Sequence, residues 1–281
     1  MGLGLLSREV EDMSDKYCAI LTIAGSDSGG GAGIQADIKS ISANGGYGAS
    51  VITASTAQNT QGVTDIHPIP VPHIIVQMKA VFDDIEFSAV KIGMLHSSEV
   101  IKAVSQTLEQ YKIEDIVFDP VMIATSGDKL LNDDAVQSLK EFLPKVRLIT
   151  PNIPEAELLI GHSIDKENMQ DTTRELAQLY KTSVLLKGGH LAFSDTMTDV
   201  LYNYETQLIT VIQNASIKTK NTHGTGCSLS SSIATFIGLG YSLEESCIKG
   251  CKYLNEAIKK GKDKILGHGH GPINHFYKTI S

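Results

Sequence analysis

The sequence predicts an α/β protein in three layers, with helices on both faces of a mainly parallel sheet. Short β-rich runs alternate with amphipathic segments of helical spacing almost throughout. The 281 residues are 42% hydrophobic and 20% charged, enough to bury a sizeable core. No proline-rich linker, low-complexity tract or fixed-period repeat divides the chain, so a single domain over residues 16–281 is expected behind a loose tail at 1–15.

The elements follow in order. Residues 19–24, AILTIA, read as a strand, and the glycine-rich run after it opens a helix. Val71, Ile74, Ile75, Met78, Val81 and Phe82 have helical spacing. Residues 89–95, AVKIGML, read as a strand, followed by a helix with Val100, Ile101, Val104 and Leu108 on one face. Residues 115–122 are the next strand, and 133–143 the next helix. Residues 146–150 form another strand, after which Pro154 suits a first helical turn. SVLLK at 183–187 is a strand ending at Gly188-Gly189. Residues 197–203 and 207–213 flank a polar turn as a hairpin. The last third is helical, one helix opening near Gly226 and another at Ser242, where Glu245 three residues on makes a capping box.

A formal net charge of −8 disfavours nucleic acid or an anionic membrane as the main partner. No apolar run approaches a membrane span, and the start MGLGLLSREVEDM lacks the basic and long apolar parts of a secretory signal. The four cysteines form no CxxC pair, so a reduced, cytoplasmic setting is expected.

In such sheets, ligands bind beyond the carboxyl ends of the strands. GSDSGGGAGIQAD at 25–37 is either a tight packed turn or a ligand cradle; it is neither a Walker loop nor a dinucleotide fingerprint. NTHGTGCSL at 221–229 precedes an apolar helix, so Gly224, Thr225 and Gly226 would line up free N–H groups as an anion site. Cys227 would lie in that helix's first turn, its thiolate stabilised by the helix dipole, unless it is only a small buried thiol. Asp119, Asn152 and Glu155 at strand ends suit oxygen ligation of Mg²⁺, directly or through water, and Lys187 suits a nucleotide phosphate. Each alone also reads as a cap or surface pair; their joint placement makes a phosphotransferase plausible. GHGHGPINH near the end reads better as a closing loop than as a metal site, and Cys247 with Cys251 as core.

The segments AGSDSGGGAGIQAD, TAQNTQGV, KIGML, DPVMIATSGD, TPNIPEAELL, KGGH, NTHGTGC and GHGPINH together resemble the hydroxymethylpyrimidine/phosphomethylpyrimidine kinases of thiamine biosynthesis, in the ribokinase-like superfamily. The resemblance runs over nearly the whole chain. It implies a ribokinase-like α/β/α domain without a separate lid, a homodimer, and use of ATP with Mg²⁺ on a small aminopyrimidine. Gln58 matches the glutamine that hydrogen-bonds the aminopyrimidine, and Gly25, Asp37, Met94 and Val121 match other pocket positions. Lys187 matches the lysine on the ATP phosphates, joined on the nucleotide side by Asn152, Asp119 and Thr225; Asp119, Asn152 and Glu155 match the metal group. Gly224, Gly226 and Cys227 match the anion hole and catalytic thiol. The run Ser28-Gly29-Gly30-Gly31 departs from the family's frequent pattern, and its extra glycine is expected to loosen that loop.

A pyridoxal kinase is the nearest competing reading, with Gln58 as the discriminating residue. A silent pyrimidine-binding protein would have no use for Lys187 and Cys227, and a hydrolase pairing Cys227 with His223 lacks a visible orienting partner.

Overall fold

The computed structural model describes residues 16–122, 133–189 and 196–278, so the expected tail lies outside the described residues. In chain order the elements are β1 (Ala19–Asp27), α1 (Gly33–Ala43), β2 (Tyr47–Asn59), β3 (Gly62–Pro68), α2 (Val71–Phe82), β4 (Ala89–Ile92), α3 (Ser98–Gln110), β5 (Ile116–Phe118), α4 (Asp133–Phe142), β6 (Leu148–Ile149), α5 (Ile153–Ile160), α6 (Met169–Tyr180), β7 (Ser183–Leu186), β8 (Thr196–Asn203), β9 (Leu208–Ala215), α7 (Thr225–Gly238) and α8 (Leu243–Gly261).

The strands form one nine-stranded sheet in the order β3-β2-β1-β4-β5-β6-β7-β8-β9. The pairs from β2 to β7 are parallel, while β3, β8 and β9 join through antiparallel pairs. Alternate side chains enter two separate cores. Leu21, Ile23, Val90, Ile92 and Phe118 pack on the face covered by α2–α6, whereas Ile20, Ala89, Val117 and Leu185 meet α1, α7 and α8. Both faces are therefore buried, which is why the central strands read as nearly continuous apolar runs. This is the expected three-layer arrangement.

Strand β1 is flanked by β2 on one side and β4 on the other, a switch point at whose carboxyl side ligands bind. The loops after β1, β4, β5, β6 and β7 open on that edge. Three expected strands are clearly shorter than read. Residues 89–95 yield only Ala89–Ile92. Residues 115–122 yield only Ile116–Phe118, because Pro120 has no N–H to continue a ladder. Residues 146–150 yield only Leu148–Ile149. The hairpin β2–β3 and helix α6 were not legible. Strand β2 intersperses small residues among few large ones, and β3 is exposed along nearly its whole length.

Two capping boxes fix helix starts on this frame. Asn152 with Glu155 caps α5, and Ser242 with Glu245 caps α8. Such caps contribute about 1 kcal/mol each.

Candidate active site

The phosphate side is built from strand ends. Lys187 follows β7, and its Nζ donates to Oδ1 of Asp119, which follows β5, across 2.9 Å. Thr150 Oγ1 donates to the same oxygen at 3.1 Å. Burial works to lower the Lys187 pKa, but the charges of Asp119 and Glu155 outweigh it and hold the ammonium above its ordinary value. Burial dominates at Glu155 and pushes its carboxyl up to about 7, against the pull of Lys187.

Helix α7 begins over this pair. A Cβ at Gly226 would lie 3.0 Å from Asp119 Oδ2 and 3.5 Å from Lys187 Nζ. The first N–H groups of a helix lack intrahelical acceptors, so this turn presents them toward the cleft. Gly224 caps the helix with a left-handed φ of 78°, and a Cβ there would strike the carbonyl of Gly31 at 1.8 Å. Glycine is thus required where the first loop crosses the helix start.

Cys227 is half-buried in the first turn of α7. Its thiol is pushed up to about 11 by burial, opposed by the nearby charge of Lys91 and by an N–H from Gly33. The expectation of a dipole-stabilised thiolate is corrected here: desolvation outweighs the favourable groups, and the resting thiol carries its proton at neutral pH.

The first loop is organised by Asp27. Its Oδ1 accepts the Gly29 N–H at 2.8 Å, and its Oδ2 accepts those of Gly31 at 3.0 Å and Ala32 at 2.8 Å. His223 Nε2 lies 2.9 Å from the same Oδ2. Burial works against this carboxylate, yet His223 and the N–H donors hold it below the ordinary value. These contacts tie down the glycine run that was expected to be loose. They also give His223 the orienting carboxylate that the sequence did not reveal. The ring nitrogen beside Asp27 is the one that lies 3.4 Å from Gln58 Nε2.

Gln58 stands near the end of β2, in a hairpin whose tip is held from the other end of the chain. His270 N donates to the Thr60 carbonyl at 2.7 Å, and Gly269 N to Thr60 Oγ1 at 3.1 Å. The Gly-His segment therefore closes over the hairpin, as read from sequence. Among the described residues no group of three or more His, Cys, Asp or Glu is placed to hold a metal.

The profile of the phosphomethylpyrimidine kinase family matches residues 27–274. The chain belongs to this family. It is 44% identical to the hydroxymethylpyrimidine/phosphomethylpyrimidine kinase of Rhizobium meliloti, over 92% of this chain and 97% of that one. It is 47% identical to the thiamine biosynthesis bifunctional protein of Geobacter sulfurreducens, over 92% of this chain, but spans only 52% of that longer protein. It also spans 35% of a multifunctional relative from Corynebacterium efficiens. The crystal structure of a phosphomethylpyrimidine kinase from Clostridium difficile superposes with a TM-score of 0.75 at 43% identity, covering 85% of this chain and 99% of that one. An ADP complex of Bacillus subtilis pyridoxal kinase superposes with a TM-score of 0.86 at 29% identity, covering 95% and 100%. The fold is ribokinase-like.

Of the positions carried over from the phosphomethylpyrimidine kinase family, Asp119, Lys187 and Gly226 converge directly. Gly25 and Met94 meet at the switch point, where a Cβ on Gly25 would lie 3.0 Å from Met94 Cε. Val121 follows within two residues of Asp119, its N–H on the Asp119 carbonyl at 2.8 Å. Asp37 sits apart from this surface. It is fully buried on α1, where its carboxylate takes Lys91 Nζ at 2.9 and 2.8 Å, Thr22 Oγ1 at 2.6 Å and Ser231 Oγ at 2.6 Å. Its carboxylate is saturated from inside the protein, so any effect on a ligand passes through those partners.

Sequence reasoning also missed Lys91 and Asp199. A lysine alone in AVKIGML was a signal, since a buried charge needs a partner. Asp199 on β8 accepts the Gly188 N–H at 3.0 Å and so anchors the turn after Lys187.

Asp119, Asn152 and Glu155 also test the fit of Mg²⁺. Asn152 Oδ1 accepts the Glu155 N–H at 2.9 Å, and Glu155 Oε2 accepts the Asn152 N–H at 2.8 Å. This box engages both side chains as a helix cap. Hard oxygens beside an aspartate fit Mg²⁺ that keeps most of its waters, rather than an all-protein cage.

Proposed function

We propose that this chain transfers phosphate from ATP to 4-amino-5-hydroxymethyl-2-methylpyrimidine, and then to the resulting monophosphate, giving the diphosphate for thiamine biosynthesis. The carrying observation is the approach of the first turn of α7, at Gly226, to the Lys187–Asp119 pair, with His223 and Gln58 next along the same edge.

In the first transfer the hydroxymethyl oxygen attacks the γ-phosphorus. Its O–H proton passes to the sulfur of an ionised Cys227, an O–P bond forms, and the bond from phosphorus to the β–γ bridging oxygen breaks with its electron pair leaving on ADP. The N–H groups of Gly226 and Cys227 offset the charge on the moving phosphoryl oxygens, and Lys187 that of the triphosphate. Mg²⁺, held through water by Asp119, Asn152 and Glu155, would supply further charge neutralisation. Gln58 offers a donor and an acceptor to the aminopyrimidine edge.

The nucleotide's outer part has room near the end of β9. A groove of about 450 Å³ there is lined by Ile217, Lys218, Asn255, Lys259 and Lys262, among others. Two antiparallel steps separate β9 from β7, so both strands end on the same edge of the sheet. The reading extends to one catalytic domain over residues 16–281 in a reducing cytoplasm, where the four cysteines stay free. It extends also to a homodimer, for which the exposed Tyr47, Val63 and Ile66 of the β2–β3 edge offer apolar surface.

A coupled assay of ADP release with hydroxymethylpyrimidine, its monophosphate and pyridoxal tests the proposal. Two ADP per free pyrimidine are expected, with one for the monophosphate. ADP release with pyridoxal alone overturns it in favour of a vitamin B6 kinase.

A further inference from the structure

Gln58 reads the aminopyrimidine edge in the mechanism above, but an amide can do so in two senses. Its oxygen and nitrogen have nearly the same shape, and turning it over reverses the order of acceptor and donor along that edge. Little else about Gln58 is free. Ser28 Oγ donates to its carbonyl at 2.7 Å and accepts its N–H at 2.9 Å, so its backbone is clamped to the first loop. At the tip of the side chain, one amide atom stands 3.1 Å from Thr56 Oγ1 and the other 3.4 Å from His223 Nε2.

Hydrogen counting decides between the two senses. His223 Nε2 lies 2.9 Å from Oδ2 of Asp27. That carboxylate already takes the N–H groups of Gly29, Gly31 and Ala32. Ionised, it can only accept, so His223 Nε2 carries hydrogen. Thr56 Oγ1 donates its one hydrogen to the carbonyl of Ser26 at 3.0 Å, so toward Gln58 it is left as an acceptor. With the amide nitrogen toward His223, N–H would face N–H, and one hydroxyl hydrogen would serve two carbonyls. With the oxygen toward His223 and the nitrogen toward Thr56, every hydrogen in the chain from Asp27 to Ser26 has an acceptor.

We propose that His223, itself oriented by Asp27, is a positioning residue that sets substrate specificity by holding the Gln58 amide, together with Thr56, in this second sense. The inference rests on the aminopyrimidine reading and gives it a selection rule. After accepting from His223 the amide oxygen keeps a second lone pair, and after donating to Thr56 the nitrogen keeps a second hydrogen. One acceptor and one donor remain for the ligand, in fixed order. An amino group beside a bare ring nitrogen matches them. The 4-oxo analogue, whose ring nitrogen carries hydrogen, presents the reverse order and sets acceptor against acceptor and donor against donor. Turning the amide over to suit it would break both anchors.

The test compares hydroxymethylpyrimidine with 5-hydroxymethyl-2-methylpyrimidin-4(3H)-one, by calorimetry without ATP. Wild type should bind the amino compound about 10³-fold more tightly. His223→Leu removes the N–H and should lower this ratio about tenfold or more. His223→Gln can return an N–H to both Asp27 and Gln58, and should restore the ratio to within about threefold of wild type. Thr56→Val removes the other anchor, on β2, and should lower the ratio likewise, so the outcome does not hang on one variant folding. An unchanged ratio in a folded Leu or Val variant, an equal loss for both compounds, or no recovery with Gln overturns the proposal. So does a wild type that binds the two compounds alike. The readout needs no turnover. Selective binding without ADP release overturns the phosphotransfer reading and leaves the selection rule standing, whereas a wild type that binds neither compound overturns both.

Discussion

Lys187 Nζ donates to Asp119 Oδ1 across 2.9 Å, joining the carboxyl ends of β7 and β5 directly beneath the first turn of α7. The lysine side chain is 17% exposed and the aspartate 3%, so the ammonium is the member that can reach a ligand. Removing it deprives the triphosphate of a cation and leaves Asp119 as an anion where phosphate must sit. Lys187→Met is expected to lower kcat/KM for both transfers by about 10²–10³-fold. Binding of the free pyrimidine, measured by calorimetry without ATP, stays within twofold. A change confined to pyrimidine binding would show that Lys187 serves the wrong substrate in this account.

Gly224 and Gly226 separate stability from function within two residues. Gly224 has a φ of 78°, and its Cβ would overlap the Gly31 carbonyl at 1.8 Å. Gly224→Ala should cost more than about 3 kcal/mol in urea unfolding, since neither backbone can yield. Gly226 has ordinary helical geometry, and its Cβ would only crowd Asp119 Oδ2 at 3.0 Å. Gly226→Ala should leave stability within about 1 kcal/mol of wild type, because alanine is the better helix former. Its turnover should nonetheless fall about 10²-fold, the methyl group occupying the approach to the amides. Equal stability of the two variants would remove the geometric basis for this contrast.

The two transfers should differ in pH dependence. The Cys227 thiol is pushed up to about 11 by burial, so the ionised fraction rises tenfold per pH unit through neutrality. A monoester phosphate loses its second proton near pH 6 and needs no base at pH 7. From pH 7 to 9, kcat for the free pyrimidine should therefore climb about tenfold per unit, while kcat for the monophosphate stays nearly flat. Cys227→Ala should slow the first transfer by about 10²-fold or more and the second by less than tenfold. Parallel pH profiles, or equal losses in a folded variant, would exclude the base role.

The sequence made the fold legible because its central strands are buried on both faces. Runs such as 19–24 and 183–187 had no other stable use than a sheet covered by helices. Strand β3 escaped notice for the opposite reason, since an exposed edge imposes no alternation. At the site, motifs named the residues at strand ends, because function demands particular types there. Motifs did not say what lies behind them. Asp37 matched a pocket position, yet it faces Lys91 in the interior; only the packing of α1 against β1 and α7, which brings its carboxylate to the lysine of β4, shows this. The state of Cys227 was also beyond reach. A helix start argues for a thiolate, while burial argues against it, and which one wins depends on solvent access.

His275 supports α7 from behind, and its burial sets a limit on acid stability. Its Nε2 lies 3.0 Å from Ser228 Oγ, one turn into α7, and its carbonyl accepts Tyr253 Oη–H at 3.1 Å. The residue is 5% exposed. Burial, with a smaller push from Lys39, lowers its pKa from the ordinary 6.5 to about 4. Above pH 6.5 the imidazole is neutral in both the folded and the unfolded chain, and titration contributes nothing to stability. Between pH 6.5 and 4 the unfolded chain binds a proton that the folded one refuses, so stability falls as pH falls. At 1.36 kcal/mol per unit this amounts to roughly 2 kcal/mol lost by pH 5. His275→Gln keeps a hydrogen-bonding group toward Ser228 but cannot take up the proton. Urea unfolding at pH 7.5 and pH 5 should show the variant losing about 2 kcal/mol less than wild type over that interval, even if it is the less stable of the two at pH 7.5. The same loss in both proteins would place the acid sensitivity of that interval in groups other than His275; the Asp27 carboxylate, its pKa held low, adds a separate loss only at more acidic pH, as the group that organises the first loop becomes protonated.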